Sequence, residues 1–128
     1  ASTDQSLAPL VTLMRLDSTL VSMLRAALTP VPGVVVALVF GSVARGEAGA
    51  NSDVDVLVLG SASELKLNAA LKPVGRELGR AVHASASTIE SFLKQVRGGE
   101  SFAQEIVLGP RIPLVGSLED AILSKTGR

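Results

Sequence analysis

The chain has 128 residues, of which 47% are hydrophobic and 19% charged, a composition that fits one folded domain and excludes a disordered chain. The net charge is zero and the only aromatic residues are three phenylalanines, so neither a basic grip on nucleic acid nor a base-stacking platform is expected. Cysteine is absent, which excludes disulfides, thiolate zinc sites and a cysteine nucleophile and is compatible with a cytoplasmic protein. No apolar run approaches the ~18 residues needed to span a bilayer, so no membrane partner is expected.

The N-terminal part of the chain is predicted to be helical. Apolar residues recur there at steps of three and four, which makes one apolar face: Leu13, Leu16, Leu20, Leu24 and Ala27. Either Asp17 or Ser18 can cap a second helix within this segment. We therefore expect a helical segment over residues 1–33 that forms one compact unit with residues 34–128. Its Leu- and Met-rich surface belongs either to the core or to the interface of a homodimer.

Four later segments read as strands. The first, Val34 to Phe40, is a continuous β-branched run of the kind found in a central strand that is buried on both faces. The others are predicted over residues 53–59, 80–86 and 111–115. In the second strand, alternation places three valines on one face and Asp53, Asp55 and Leu57 on the other.

Helices are predicted between these strands. Ser63 can cap a helix that Gly79 ends, although Pro73 should kink it. A capping box, Ser87-Thr88-Ile89-Glu90, predicts the start of a helix that runs through Val96. A short helix over residues 101–108 and a last helix capped by Ser117 complete the chain. The order of elements predicts an α/β domain with a small sheet of about four strands.

The turn after the first strand is a candidate phosphate seat. Gly41 has no Cβ, so its backbone can approach a ligand closely. The peptide N–H groups of the short turn that follows are unpaired donors, and Ser42 adds a hydroxyl. Arg45 can pair with Glu47 across the turn, which is the favoured interpretation, or reach a phosphate.

Asp53 and Asp55 are candidate metal ligands. They stand two residues apart at the start of an apolar run, so both carboxylates lie on one face of the strand. Two acids side by side repel each other unless a cation lies between them. Oxygen ligands of this kind suit Mg²⁺ or Mn²⁺ shared with substrate phosphates, and the alternative is a pair of acids at the exposed start of a strand.

Together these residues carry a specific resemblance. Gly41-Ser42-Val43-Ala44-Arg45-Gly46-Glu47, followed by Ser52-Asp53-Val54-Asp55, resembles the signature of the polymerase-beta-like nucleotidyltransferase superfamily, and most of all its minimal nucleotidyltransferase branch. The resemblance is strongest over residues 34–59 and extends loosely to about residue 120. It implies a mixed sheet flanked by helices, with Gly41 and Ser42 binding the triphosphate of a nucleotide, usually ATP. It further implies that Asp53 and Asp55 hold the divalent metals and that a nucleoside monophosphate passes to a hydroxyl as pyrophosphate leaves.

One position departs from the family pattern. Active members carry a third carboxylate on the next strand, and the matching residue here is His83. An imidazole can bind a metal or take a proton as a catalytic group, but it supplies no negative charge, and the favoured interpretation is a spectator that lines the groove. Glu47 and Glu64 are alternative acids.

Two functions therefore stay open. One is a metal-dependent nucleotidyltransferase that acts on the hydroxyl of a protein, a nucleic acid or a small molecule. The other is a catalytically weak nucleotide-binding module, either antitoxin-like or attached to a winged-helix DNA-binding part outside this chain, because similar domains occur behind such a part.

A row of basic residues lies along the helix that is predicted before the third strand. Lys72, Arg76 and Arg80 recur every four residues and share one side of the helix before the third strand. They can steer a phosphate or an acidic partner, but a solvated face is favoured because Glu77 stands among them in the sequence.

Overall fold

A computed structural model describes residues 19–46 and 52–126. These residues form six helices, which are α1 (residues 19–28), α2 (Gly41–Ala44), α3 (Glu64–Leu78), α4 (Ile89–Arg97), α5 (Ser101–Leu108) and α6 (Leu118–Thr126). They also form four strands, which are β1 (Val34–Phe40), β2 (Val54–Gly60), β3 (Val82–Ser87) and β4 (Ile112–Val115).

The strands form one mixed sheet in the order β3-β2-β1-β4. β1 is central and pairs antiparallel with β2 and β4, whereas β2 and β3 are parallel. Parallel neighbours need a crossover connection, and α3 supplies it. The mixed sheet of four strands flanked by helices confirms the predicted fold class.

The core lies in two layers, one on each face of the sheet. On one face Val54, Val56 and Val58 pack against the buried leucines of α1 and α3. On the other face Leu57 and Leu59 pack against α4, α5 and α6. The predicted alternation in β2 is therefore correct, and Asp55 lies on the face that α4, α5 and α6 cover.

Side chains cover both edges of the sheet. On the β3 edge, Asn68 of α3 accepts a hydrogen bond from the Ala84 N–H (2.9 Å) and donates one to the Ala84 carbonyl (3.2 Å). Glu64 Oε1 accepts another from the Ala86 N–H at 3.0 Å. On the β4 edge, Arg25 Nε donates to the Leu114 carbonyl at 2.7 Å. These contacts satisfy backbone groups that would otherwise pair with a second chain.

Several local predictions need correction. The capping box at Ser87 is wrong, because Thr88 is the N-cap of α4 and its side chain accepts a hydrogen bond from the Ser91 N–H. The helix therefore starts one residue later and continues to Arg97. β2 and β3 each begin one or two residues later than predicted, which leaves Asp53 just before its strand.

Some predictions fall on parts of the chain that are not described. Leu13, Leu16, Asp17 and Ser18, as well as Glu47, lie outside the described residues. α3 runs from Glu64 to Leu78 with Pro73 inside it, and the kink expected at Pro73 stays a prediction. No helix in the described ranges has the length and apolar character needed to cross a membrane.

Candidate functional site

The turn after β1 begins at Gly41, where the backbone leaves the sheet with φ +76°. This left-handed conformation favours glycine because it has no Cβ. α2 is a single turn, as predicted, and buried Val43 anchors it in the core. The first N–H groups of such a turn have no partner within the helix.

Asp55 lies directly beside this turn. Asp55 is the β2 partner of Phe40, the last residue of β1. A Cβ placed on Gly41 would come within 2.8 Å of Asp55 Oδ2. The absence of a side chain at Gly41 therefore leaves the space that the Asp55 carboxylate borders.

Asp53 and His83 complete the group. His83 is the partner of Asp55 in the parallel pairing of β2 with β3, so these two side chains share a face of the sheet. His83 Nε2 lies 3.4 Å from Asp53 Oδ2, and both side chains are exposed, at 63% and 60%. The fold thus brings together Gly41, Asp53, Asp55 and His83, the residues that the sequence singled out.

The segment that carries Asp53 is fixed by the turn before β3. Arg80 Nε donates to the Ser52 carbonyl at 2.9 Å, and the Val54 N–H donates to the Ala81 carbonyl at 2.9 Å. These two bonds bracket Asp53 and hold its backbone against β3. Arg80 is therefore a positioning residue for the acidic pair.

The side chains at the site suit a hard divalent cation for which the protein supplies only some of the ligands. The two carboxylates offer oxygen atoms, and the glycine beside Asp55 leaves room for a ligand. Within the described ranges, no group of three His, Cys, Asp or Glu side chains is arranged to hold a metal. Mg²⁺ commonly takes one or two carboxylates and completes its shell with water and substrate phosphate. The described residues fit that mode of binding, in which water and phosphate complete the metal shell.

Arg45 forms an ion pair that the sequence does not indicate. Its Nη1 lies 3.1 Å from Glu105 Oε1 on α5. The predicted partner Glu47 is outside the described residues. A pocket of about 370 Å³ is lined by the turn, by α5 and by the residues just after α5: Phe40, Gly41, Arg45, Ser101, Gln104, Glu105, Leu108, Gly109 and Pro110. This pocket opens beside the Gly41 turn.

Glu64 is not at the site. It caps the β3 edge at Ala86, whose partner in β2 is Val58, whereas the site is at the other end of these strands near Asp55. Glu105 and the Ser52 carbonyl are the contacts that sequence reasoning missed. Both join segments far apart in the chain, so no local spacing indicates them.

Comparisons with known proteins identify the family and the fold. A family profile described as "Nucleotidyltransferase domain" matches residues 22–112, which is more than half of the chain. A comparison with curated protein sequences finds no match.

Solved structures share the fold. A toxin–antitoxin crystal structure with AMP-PNP is similar with a TM-score of 0.56 and 19% identity, over 80% of this chain and 78% of that one. A mutant of the toxin–antitoxin MntA-HpeT is similar with a TM-score of 0.53 and 18% identity, over 83% of this chain and 77% of that one. At this identity the likeness shows the fold alone. Because the family profile matches more than half of the chain, from α1 to the start of β4, the chain belongs to the nucleotidyltransferase domain family.

Proposed function

We propose that this domain binds a nucleoside triphosphate together with Mg²⁺ or Mn²⁺ between the Gly41 turn and the Asp53–Asp55 pair, and transfers the nucleoside monophosphate to a hydroxyl. The observation that carries the proposal is the position of the Asp55 carboxylate against Gly41, at the point where a Cβ would fill the space. A triphosphate at the turn would meet peptide N–H donors on one side and the two carboxylates on the other.

Each group has a proposed task. The N–H groups of the turn and the Ser42 hydroxyl hold the terminal phosphates. Asp53 and Asp55 hold the divalent cation, which when bound neutralises phosphate charge. The acceptor oxygen then bonds to the α-phosphorus as the bond to the bridging oxygen of the β-phosphate breaks, and pyrophosphate leaves. Positioning and charge neutralisation dominate catalysis of this kind.

The acceptor proton needs a base. His83 lies beside Asp53 in the place where the family resemblance puts a third carboxylate. Its exposed imidazole can take a proton, but it adds no negative charge for a second cation. We propose that transfer is slow for this reason, and that ATP is the first nucleotide to test because one structural neighbour was crystallised with AMP-PNP.

A second candidate is a module that binds nucleotide without transferring it, for an antitoxin-like or regulatory purpose. It is favoured by the lack of a third metal-ligating carboxylate among the described residues. For both candidate functions we propose that a second protein takes part, as the acceptor of the transfer or as a toxin partner. The reason is that the neighbouring structures are toxin–antitoxin assemblies.

Calorimetry and label transfer test the two candidates. We expect ATP to bind only when Mg²⁺ is present, and we expect Asp53→Asn and Asp55→Asn each to weaken binding by about tenfold or more, since each removes a charged ligand. The control is Asp120→Asn, which removes an exposed acid at the start of α6.

Labelled ATP incubated with candidate acceptors then separates enzyme from module. Transfer that Asp53→Asn abolishes supports the transferase, whereas binding without transfer supports the module. Equal nucleotide binding by the wild type, Asp53→Asn and Asp120→Asn would contradict both.

A further inference from the structure

A basic pocket lies on the side of the sheet that α3 covers. It has a volume of about 420 Å³ and is lined by Lys72, Arg76 and Arg80, the three basic residues that recur along α3 and the turn after it. Asn68, Leu71, Gly75, Ala81 and Val82 form the rest of the lining. Three cationic side chains thus converge on one concave surface.

Among the described residues, no acidic side chain lines this pocket. Glu77 is beside Arg76 in the sequence, but it lines a different groove with Met23, Ala70 and Pro73, between α1 and α3. Lys72 and Arg76 are exposed, which is compatible with the predicted solvated face, but the acid on which that prediction rested does not line the pocket. In the part of the chain that the structure describes, none of the three basic side chains forms an ion pair.

Arg80 adds a second, independent observation. Its Nε is committed to the Ser52 carbonyl, but its Nη2 is buried and has no hydrogen-bond partner among the described residues. A buried guanidinium nitrogen without an acceptor is costly, and an anion near Arg80 would reduce that cost. Arginine forks and lysine ammonium groups are the donors that proteins use for phosphate.

The pocket is separate from the Gly41 turn. Val82 faces the core layer of α1 and α3, whereas its neighbour His83 shares the other face with Asp55. The basic pocket and the acidic pair therefore lie at the same end of the sheet but on opposite faces. A phosphate in the pocket would be distinct from the triphosphate proposed at Gly41.

We infer that Lys72, Arg76 and Arg80 form a second phosphate-binding site, which takes a phosphate group either from a free anion such as pyrophosphate or from the backbone of a polynucleotide. This site goes beyond the proposed transferase activity and does not depend on it. It acts through fixed positive charge, so it needs no divalent metal.

The experiment titrates the full chain with pyrophosphate, and separately with a short single-stranded oligonucleotide, in EDTA and at low salt. EDTA removes divalent cations, so the Asp53–Asp55 pair then repels phosphate. We expect binding under these conditions, and we expect the double variant Lys72→Gln/Arg76→Gln to weaken it by about tenfold or more. Arg80 is left intact because it also positions Ser52.

Two controls keep the result specific. Lys66→Gln removes an exposed cation of the same helix that does not line the pocket, and it should bind like the wild type. Asp53→Asn should also retain metal-free binding, even though it is expected to lose Mg²⁺-dependent nucleotide binding, so the two proposals can fail separately. Tighter binding of the oligonucleotide identifies a polynucleotide as the source of the phosphate, and tighter binding of pyrophosphate identifies a free anion. The absence of metal-free binding in the wild type would overturn the inference, as would an equal loss in Lys66→Gln and the double variant.

Discussion

The carboxylate of Asp55 and the α-carbon of Gly41 are so close that a Cβ on Gly41 would come within 2.8 Å of Asp55 Oδ2. This contact joins the two halves of the signature, the glycine turn after β1 and the acidic start of β2. It results from the antiparallel pairing of Phe40 with Asp55. The pairing of β1 with β2 therefore sets the space that the proposed triphosphate and cation need.

Gly41→Ala should remove nucleotide binding. The methyl group would collide with Asp55, and the backbone at φ +76° would add a cost of about 1–2 kcal/mol. Gly99→Ala is a matched control, because Gly99 has φ +69° but no atom within 4 Å of the added Cβ. Both variants share the cost of the strained backbone, so Gly41→Ala should lose at least as much stability in thermal unfolding as Gly99→Ala, while calorimetry should show the loss of Mg²⁺-dependent ATP binding for Gly41→Ala alone. Equal ATP affinity in the two variants would show that the Gly41 space is not the binding site.

His83→Asp should increase nucleotidyl transfer. The substitution places a carboxylate beside Asp53, where the imidazole now lies 3.4 Å away, and so supplies the charge that a second cation needs. We expect the rate of label transfer from ATP to rise by about tenfold or more, since the new carboxylate can also act as an acid–base group.

His83→Ala is the control for this substitution, because it removes the imidazole without adding charge. It should transfer label no faster than the wild type, because it supplies neither the imidazole base nor a new carboxylate. Without Mg²⁺, three neighbouring carboxylates should lower the melting temperature of His83→Asp, and Mg²⁺ should restore it. A His83→Asp protein with unchanged transfer and no Mg²⁺-dependent stabilisation would contradict the proposed geometry.

Glu105→Gln should change nucleotide affinity more than stability. The Arg45–Glu105 pair is exposed at 39% and 54%, and such pairs contribute only about 0–1 kcal/mol. Loss of the Glu105 charge weakens its hold on Arg45, which borders the pocket beside Gly41. We expect ATP to bind a few-fold more tightly and urea unfolding to shift little. Weaker ATP binding in Glu105→Gln would instead assign the pair a structural role in shaping the turn.

Asn68→Ala should destabilise the fold. The Asn68 amide bonds both backbone groups of Ala84 on the edge strand, and its loss leaves them without these partners. The expected cost is about 1–3 kcal/mol in urea unfolding. Lys66→Ala on the same helix is the comparison, since Lys66 is exposed, and it should unfold within about 0.5 kcal/mol of the wild type. Matching unfolding curves for the two variants would rule out a structural contribution from the Asn68 contacts.

Much of the fold was predictable because its signals are local. The β-branched run of β1 was bounded correctly at Val34 and Phe40. Ser63 and Ser117 were correctly identified as caps, since each accepts a hydrogen bond from an N–H three residues later. The cap of α4 was misplaced because Ser87 and Thr88 are both good N-caps, and the acidic residue at Glu90 favoured the wrong one of the two.

For the candidate site, the sequence by itself determined the elements that hold the key residues and the faces on which they lie. Alternation along a strand is a local property, so it placed Asp55 on the correct face of β2 before any pairing was known. Only the tertiary structure decided which distant groups meet: Glu105 with Arg45, and Asn68 with the edge of β3. It also separated Glu77 from the basic row, because the packing of α1 against α3 assigns that side chain to another groove. Contacts of this kind depend on how helices lie on the sheet, and that is fixed by burial of the whole core and not by neighbouring residues in the chain.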